Sequence, residues 1–185
     1  MTRQLKTITP PAVEPITLAE LKTVLLIDTT EHDTRLTNLI VACRQQLEKY
    51  IHRALITQTL EMRYDYCDIL FPLTLWQAPI QSVTSIKLYD TDNAETTWDA
   101  ANYTVLDSQI LWNSSASVEP SLRHTGAMII QYVAGYGDAA TDVPAGLRQA
   151  LMDLCQFEEE CVGCAFPAKI KNQLDPYICL DYLKS

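Results

Sequence analysis

The stretch most suggestive of chemistry is "IIQYVAGYGDAATDVPAGLRQAL", Ile129 to Leu151. A β-rich run leads to Gly135-Tyr136-Gly137, then to a polar turn and a helix opened by Pro144. That is the outline of a loop that cradles phosphate with backbone N–H groups at a helix start. Its details remove that reading. A P-loop needs a lysine to reach the phosphates, and none lies between Lys87 and Lys169. A dinucleotide fingerprint needs a third glycine; position 140 is Ala140 and the next glycine is Gly146. Asp138 and Asp142 would repel phosphate. Gly135 and Gly137 are instead expected to supply the backbone freedom that turns a strand out of its sheet. Pro144 suits the first turn of the helix that follows, where its missing N–H costs nothing.

Other sets of reactive residues are equally sparse. Cys161-Val162-Gly163-Cys164 has ligand-like spacing, but a structural zinc needs four ligands, and Cys155, Cys179, His32, His52 and His124 form no second regular pair. A thioredoxin-like pair belongs at a strand-to-helix turn, whereas this one falls at a helix end. The six cysteines are otherwise expected to be small buried apolar residues. No histidine sits beside a marked nucleophile. Asp90, Asp92, Glu95 and Asp99 read as a solvated hairpin end, and Asp90-x-Asp92-x-Ala94 lacks the glycine and terminal glutamate of an EF-hand. No enzyme, metal or cofactor is expected.

The elements that position these residues follow from periodicity. Thr17-Leu18-Ala19-Glu20 is a capping box that starts a short helix carrying Leu18, Leu21, Val24 and Leu25 on one face. Asp33 is expected to cap the second helix, where Leu36, Leu39, Ile40, Cys43, Leu47, Tyr50, Ile51 and Ala54 recur at three- and four-residue steps. Gln45, Gln46, Glu48 and Lys49 are expected on its wet face. From Ile56 to Tyr132 the period becomes that of strands, with Leu60, Met62 and Tyr64 on one face. Leu147, Leu151, Leu154, Cys155 and Cys161 then mark a long helix with Gly163 as a stop.

The expectation is an α+β chain: a small helical bundle of N-terminal helices and one long C-terminal helix, with an inserted antiparallel β-region. It is read as one domain, with an extended arm over 1–15, helices over 16–55, a β-rich insertion over 56–134, a helix over 143–163 and a tail over 165–185.

Charge narrows the partners. Arg and Lys number 14 against 23 Asp and Glu, for a net charge of −9. Gripping nucleic acid by its phosphates needs a basic face, which this chain lacks. No apolar run reaches the roughly 20 residues that cross a bilayer, and "MTRQLKTITPPAVEP" lacks the apolar core of a secretory signal, so synthesis in the cytoplasm without a membrane is expected. The tail is more apolar than free tails are. Ile170, Leu174, Tyr177, Ile178, Leu180 and Tyr182 either fold back onto the core or contact a partner or a neighbouring subunit. Removing residues 167–185 is expected to weaken docking more than folding.

The order of segments resembles a known family. "PITLAELKTVLLID", "EHDTRLTNLIVACRQQLEKYIHRALITQTLEMRYD", "APIQSVTSIKLYDTDN", "NYTVLD" and "QYVAGYGDAATDVPAGLRQALMDL" are together similar to the head-tail connector (adaptor, or head-completion) proteins of long-tailed bacteriophages and gene transfer agents. The resemblance implies a structural virion protein made in a bacterial host. It implies a homo-oligomeric ring, typically a dodecamer, between the portal and the stopper or tail-completion protein in the neck. DNA would pass through that ring without specific binding, and the tail resembles the segment that reaches the portal. The alternatives are another neck or tail-end ring protein, or a small CxxC metal or redox protein.

Overall fold

The computed structural model describes residues 3–69, 72–106, 108–113, 121–161 and 166–179. The chain divides into two units, one formed by residues 3–10 and 57–135, the other by 11–56 and 136–179.

The first unit is all antiparallel. Strands β1 (Gln4–Thr9), β2 (Gln58–Tyr64), β4 (Ile80–Tyr89), β5 (Glu95–Thr97) and β8 (Met128–Ala134) form a five-stranded sheet in the order β1-β2-β8-β4-β5. Strands β3 (Leu73–Thr74), β6 (Tyr103–Leu106) and β7 (Gln109–Trp112) form a second sheet in the order β3-β7-β6. Within the stretch expected as an arm, Gln4–Thr9 is the edge strand β1, paired to β2 with a register shift between Thr7 and Thr9.

Alternation decides which face of the large sheet is dry. Leu60, Met62 and Tyr64 of β2 stand opposite Tyr132, Ile130 and Met128 of β8, and all six are fully buried. Ile86 and Leu88 of β4 extend this layer from the other side of β8. Burying each such side chain contributes about 1.5–3 kcal/mol. The two buried phenols keep their hydrogen bonds: Tyr64 donates to the Thr74 carbonyl at 2.8 Å and Tyr132 to the Trp76 carbonyl at 2.6 Å. Burial pushes both phenols well above their ordinary pKa.

The second unit is helical, with α1 (Leu18–Leu25), α2 (Asp33–Ile51), α3 (Ala145–Glu160) and α4 (Ala168–Leu174). Its core gathers Leu21 of α1, Leu36, Ile40, Cys43, Leu47 and Ile51 of α2, Leu147, Leu151, Leu154 and Cys155 of α3, and Ile170 and Leu174 of α4. The capping box forms as its sequence requires. The Thr17 hydroxyl accepts from the Glu20 N–H at 3.2 Å, and the Glu20 carboxylate accepts from the Thr17 N–H at 2.7 Å. Arg148 of α3 then donates to Glu20 at 2.7 Å and to the Pro15 carbonyl at 2.9 Å, joining α3 to the approach to α1.

Four expectations fail here for physical reasons. Asp33 does not cap α2: His32 occupies the cap position without a side-chain hydrogen bond, because the Asp33 carboxylate is taken by Lys22 at 2.7 Å. Val24 is exposed rather than on the apolar face of α1, which is only eight residues long and buries Leu21. Glu48 is buried rather than wet, because Arg44 and the Leu55 N–H both require its carboxylate. Cys67 is exposed, unlike the free cysteines Cys43, Cys155 and Cys179. Pro144 lies one residue before α3, where its carbonyl accepts from the Leu147 and Arg148 N–H groups. Gly163, the expected stop, lies outside the described residues. No helix among the described residues is long and apolar enough to cross a membrane.

Candidate functional site

The glycine loop is positioned by its two ends. Gly135, last residue of the β-unit, donates to the Pro79 carbonyl at 3.0 Å, and its own carbonyl accepts from Gln81 at 3.0 Å. Its φ of 139° lies in the range that favours glycine. Gly137 answers a different need. A Cβ there would fall on the Asp142 carboxylate, which accepts the Ala139 N–H at 2.9 Å to close the turn before α3. The carboxylate therefore fills the space beside Gly137 that a phosphate would have to enter. The loop is a strand-to-helix connection.

The acidic group at the β4–β5 hairpin is likewise spent on local structure. Asp90 accepts the N–H groups of Asp92 and Ala94 at 2.9 and 2.8 Å. Asp99 accepts the Ala101 N–H at 2.8 Å. Hydrogen bonds from Lys87 and Tyr89 hold the Glu95 carboxyl below its ordinary pKa. Of the histidines, His52 ends α2 in the left-handed conformation, and burial pushes its imidazole pKa down. His124 packs edge-on against Tyr66 at 6.5 Å. Cys161 is disulfide-bonded, and Cys164 lies outside the described residues. Among the described residues, no group of three or more His, Cys, Asp or Glu could hold a metal ion.

The tail residues part company. Ile170 and Leu174 are buried in the helical core with α2 and α3, so their apolar surface is covered by their own chain. Their burial means that removing residues 167–185 takes core from the helical unit, so the truncation bears on folding as well as on the docking expected of the tail. Tyr177 and Ile178 are half-buried at the edge of that core, where Arg53 donates to the Tyr177 carbonyl at 2.6 Å. Leu180 and Tyr182 lie outside the described residues.

The cations show what the surface offers. Lys22, Arg35, Arg63, Lys87, Arg148 and Lys169 each pair with a carboxylate. Arg44 pairs with two, Glu14 and Glu48. Arg123 lies over the Tyr89 ring at 4.3 Å and donates to the Gly126 carbonyl. Half of the 14 cations are thus paired with carboxylates of the same chain, which reduces the charge left to grip a phosphate backbone. Two features escaped the sequence reading. One is the buried Arg44–Glu48 pair, whose only signal was a charged residue beside Leu47. The other is Leu26, whose exposure no pattern announced.

The comparisons with known proteins give a family and a fold. The family model described as "Head completion protein" matches residues 14–160. No curated protein matches the chain. The fold is similar to chains in three solved structures, each match covering 94% of both chains. They are the neck of an empty gene transfer agent particle computed with six-fold symmetry (22% identity, TM-score 0.77), the virion of the native gene transfer agent (21%, 0.72) and the neck of the native particle computed with twelve-fold symmetry (21%, 0.76). At these identities the likeness shows the α+β fold.

Proposed function

We propose, from the premise that this chain belongs to the head completion protein family, that it is the adaptor ring of a virion neck. It is a structural protein rather than an enzyme. The observation that carries this is the family match over residues 14–160, on a fold shared with chains of neck assemblies. In this reading the subunits form a closed ring, a dodecamer, between the portal and the stopper or tail-completion protein, and the ring extends the DNA channel.

The chemistry of the chain supports that role. A conduit must let DNA slide, and a phosphate backbone is held by unpaired Lys and Arg. This chain carries a net charge of −9 and pairs half of its cations internally, which weakens such contacts. Of the four described apolar tail residues Ile170, Leu174, Tyr177 and Ile178, the last two, at the edge of the helical core, keep surface for the portal, and Leu180 and Tyr182 continue that apolar segment in the sequence.

Electron microscopy and native mass spectrometry of the full chain mixed with its portal test the proposal. A ring seated on the portal is expected. A chain that stays monomeric and ignores the portal overturns it.

A further inference from the structure

The five-stranded sheet has two open edges. On one side β1 pairs with β2 alone, and on the other β5 pairs with β4 alone. Five of the six β1 residues are exposed, as are all three of β5. Neither backbone makes a hydrogen bond on its outer side to any described residue. At β5 the neighbouring bonds fix the orientation. The Trp98 N–H reaches the Ile86 carbonyl at 2.7 Å, and the Ala94 carbonyl accepts the Asp90 N–H at 3.2 Å. Alternation then turns the N–H and C=O groups of Glu95 and Thr97 outward. Such rows of open donors and acceptors template another strand unless something covers them.

The two edges carry opposite charge. Arg3 and Lys6 are the charged residues of 3–9. Lys6 stands opposite Glu61 of β2, but Arg63 holds that carboxylate at 2.8 Å, and Lys6 has no ion pair among the described residues. Residues 90–99 hold Asp90, Asp92, Glu95 and Asp99 and no cation. Beside them Lys87 pairs with Glu95 and Arg123 donates to Asn93. Four negative charges less these two positive ones leave an excess of two, against the two positive charges of β1.

Register puts the charges on one face. Lys6 is opposite Glu61, and Arg63, two residues on, is opposite Ile129. Ile129 is opposite Lys87, and Lys87 is opposite Thr97, which shares its face with Glu95. This is the face away from the buried layer of Leu60, Met62 and Tyr64. Five strands that alternate in direction also leave β1 and β5 running the same way. We infer that β5 of one copy takes β1 of a second copy of this chain as a parallel neighbour, with Lys6 beside Glu95 on the wet face. Neighbours in a ring of about twelve are turned by about 30°, so strand direction and wet face carry over between copies, as this pairing requires. The two edges are different surfaces, so the contact is head-to-tail. It rests on the ring reading above and names the surface that builds the ring.

Ring formation by the full chain with portal present tests it. Thr97→Pro removes an outward donor and spares the ladder to β4. It should weaken ring assembly about tenfold with an unchanged thermal melt. Lys6→Glu should weaken assembly as well, and adding Glu95→Lys should restore it, because every contact holds one residue of each kind. Benzoylphenylalanine in place of Ile8, in a mixture of isotopically heavy and light chains, should give mixed adducts to residues 95–98. If the parent forms its ring while Thr97→Pro or Lys6→Glu assembles equally well, or the adducts map elsewhere, this contact is overturned and the ring stands. A parent chain that forms no oligomer, alone or with portal, overturns both.

Discussion

Arg44 and Glu48 form an ion pair of 2.8 Å one turn apart on α2, with both side chains almost wholly buried. Arg44 also reaches Glu14 at 2.7 Å, and Glu48 also accepts the Leu55 N–H at 2.9 Å. The pair therefore joins α2 to the segment before α1 and to the segment after α2. Glu48→Ala would orphan the Leu55 N–H and leave the buried guanidinium with Glu14 alone, an expected loss of about 3 kcal/mol, the low end for a broken buried pair. Arg44→Met with Glu48→Leu should recover part of it but keep about 1–3 kcal/mol for the unpaired Leu55 N–H. Urea unfolding measures both; a single-variant loss under about 1 kcal/mol would mean the pair behaves like a surface bridge.

The tail supplies core to the helical unit through Ile170 and Leu174. Ile170→Ala and Leu174→Ala should each cost about 2–5 kcal/mol. Thermal melts of the two variants would show this as a lower Tm, and unchanged melts would place α4 outside the cooperative unit.

Tyr177 depends on the absence of a side chain at Gly146. A Cβ there would sit 2.5 Å from the phenol oxygen. Gly→Ala at a compatible site usually adds about 0.4–1 kcal/mol, yet Gly146→Ala should be neutral or destabilising. Adding Tyr177→Phe should release the gain. A single variant that is already more stable would show that the ring does not rest on α3.

How much of this was legible in the sequence depends on the range of each interaction. The Thr17–Glu20 box and the Leu36-to-Ile51 stripe were readable because their partners lie within a turn or two on the same helix. The Asp33 cap was misjudged because its competitor, Lys22, lies on another helix. Glu48 looked wet because no periodicity encodes the demand of the Leu55 amide. Ile170 and Leu174 could be called apolar, but only packing against α2 and α3 shows what covers them. The glycine loop was excluded as a phosphate site from its missing lysine, and the carboxylate beside Gly137 supplies the steric reason.

Acid should loosen the helical unit. The Thr17 N–H holds Glu20 below its ordinary pKa, with the Thr17 hydroxyl and Arg148 adding to this against burial. For Asp153, burial raises the pKa, but hydrogen bonds from Gln149, Gln173 and Lys169 outweigh it. Arg35 holds Glu159 down. Each group is lower in the folded state, so its contribution is fully present above the unfolded value of about 4. It is lost as pH falls through the folded value, where the unfolded chain binds more protons. The urea midpoint should therefore drop on acidification below about pH 4, and less steeply in a Glu20→Gln, Asp153→Asn, Glu159→Gln variant. Parallel profiles for parent and variant would contradict this.

Leu26 ends α1 in the left-handed conformation, with φ of 56°. Leu26→Asn should raise the stability of the isolated subunit by about 1 kcal/mol, because asparagine tolerates the left-handed conformation that leucine resists. The measurement belongs at concentrations where the parent is monomeric. A destabilised variant would mean that Leu26 has an unrecognised role in its own fold.

The split layout of the helical unit governs the order in which it can be completed on the ribosome. Residues 11–56 emerge first, and their partners in 136–179 follow only after the whole β-unit has been made. At 5–20 residues per second, the roughly 80 intervening residues take about 4–16 s. Throughout that time Leu36, Ile40 and Leu47 lack the α3 surface that covers them in the finished chain. The nascent chain thus exposes a sticky helix pair for seconds, a natural target for holdase chaperones. Faster closure of the β-unit cannot shorten this wait, because translation itself sets it.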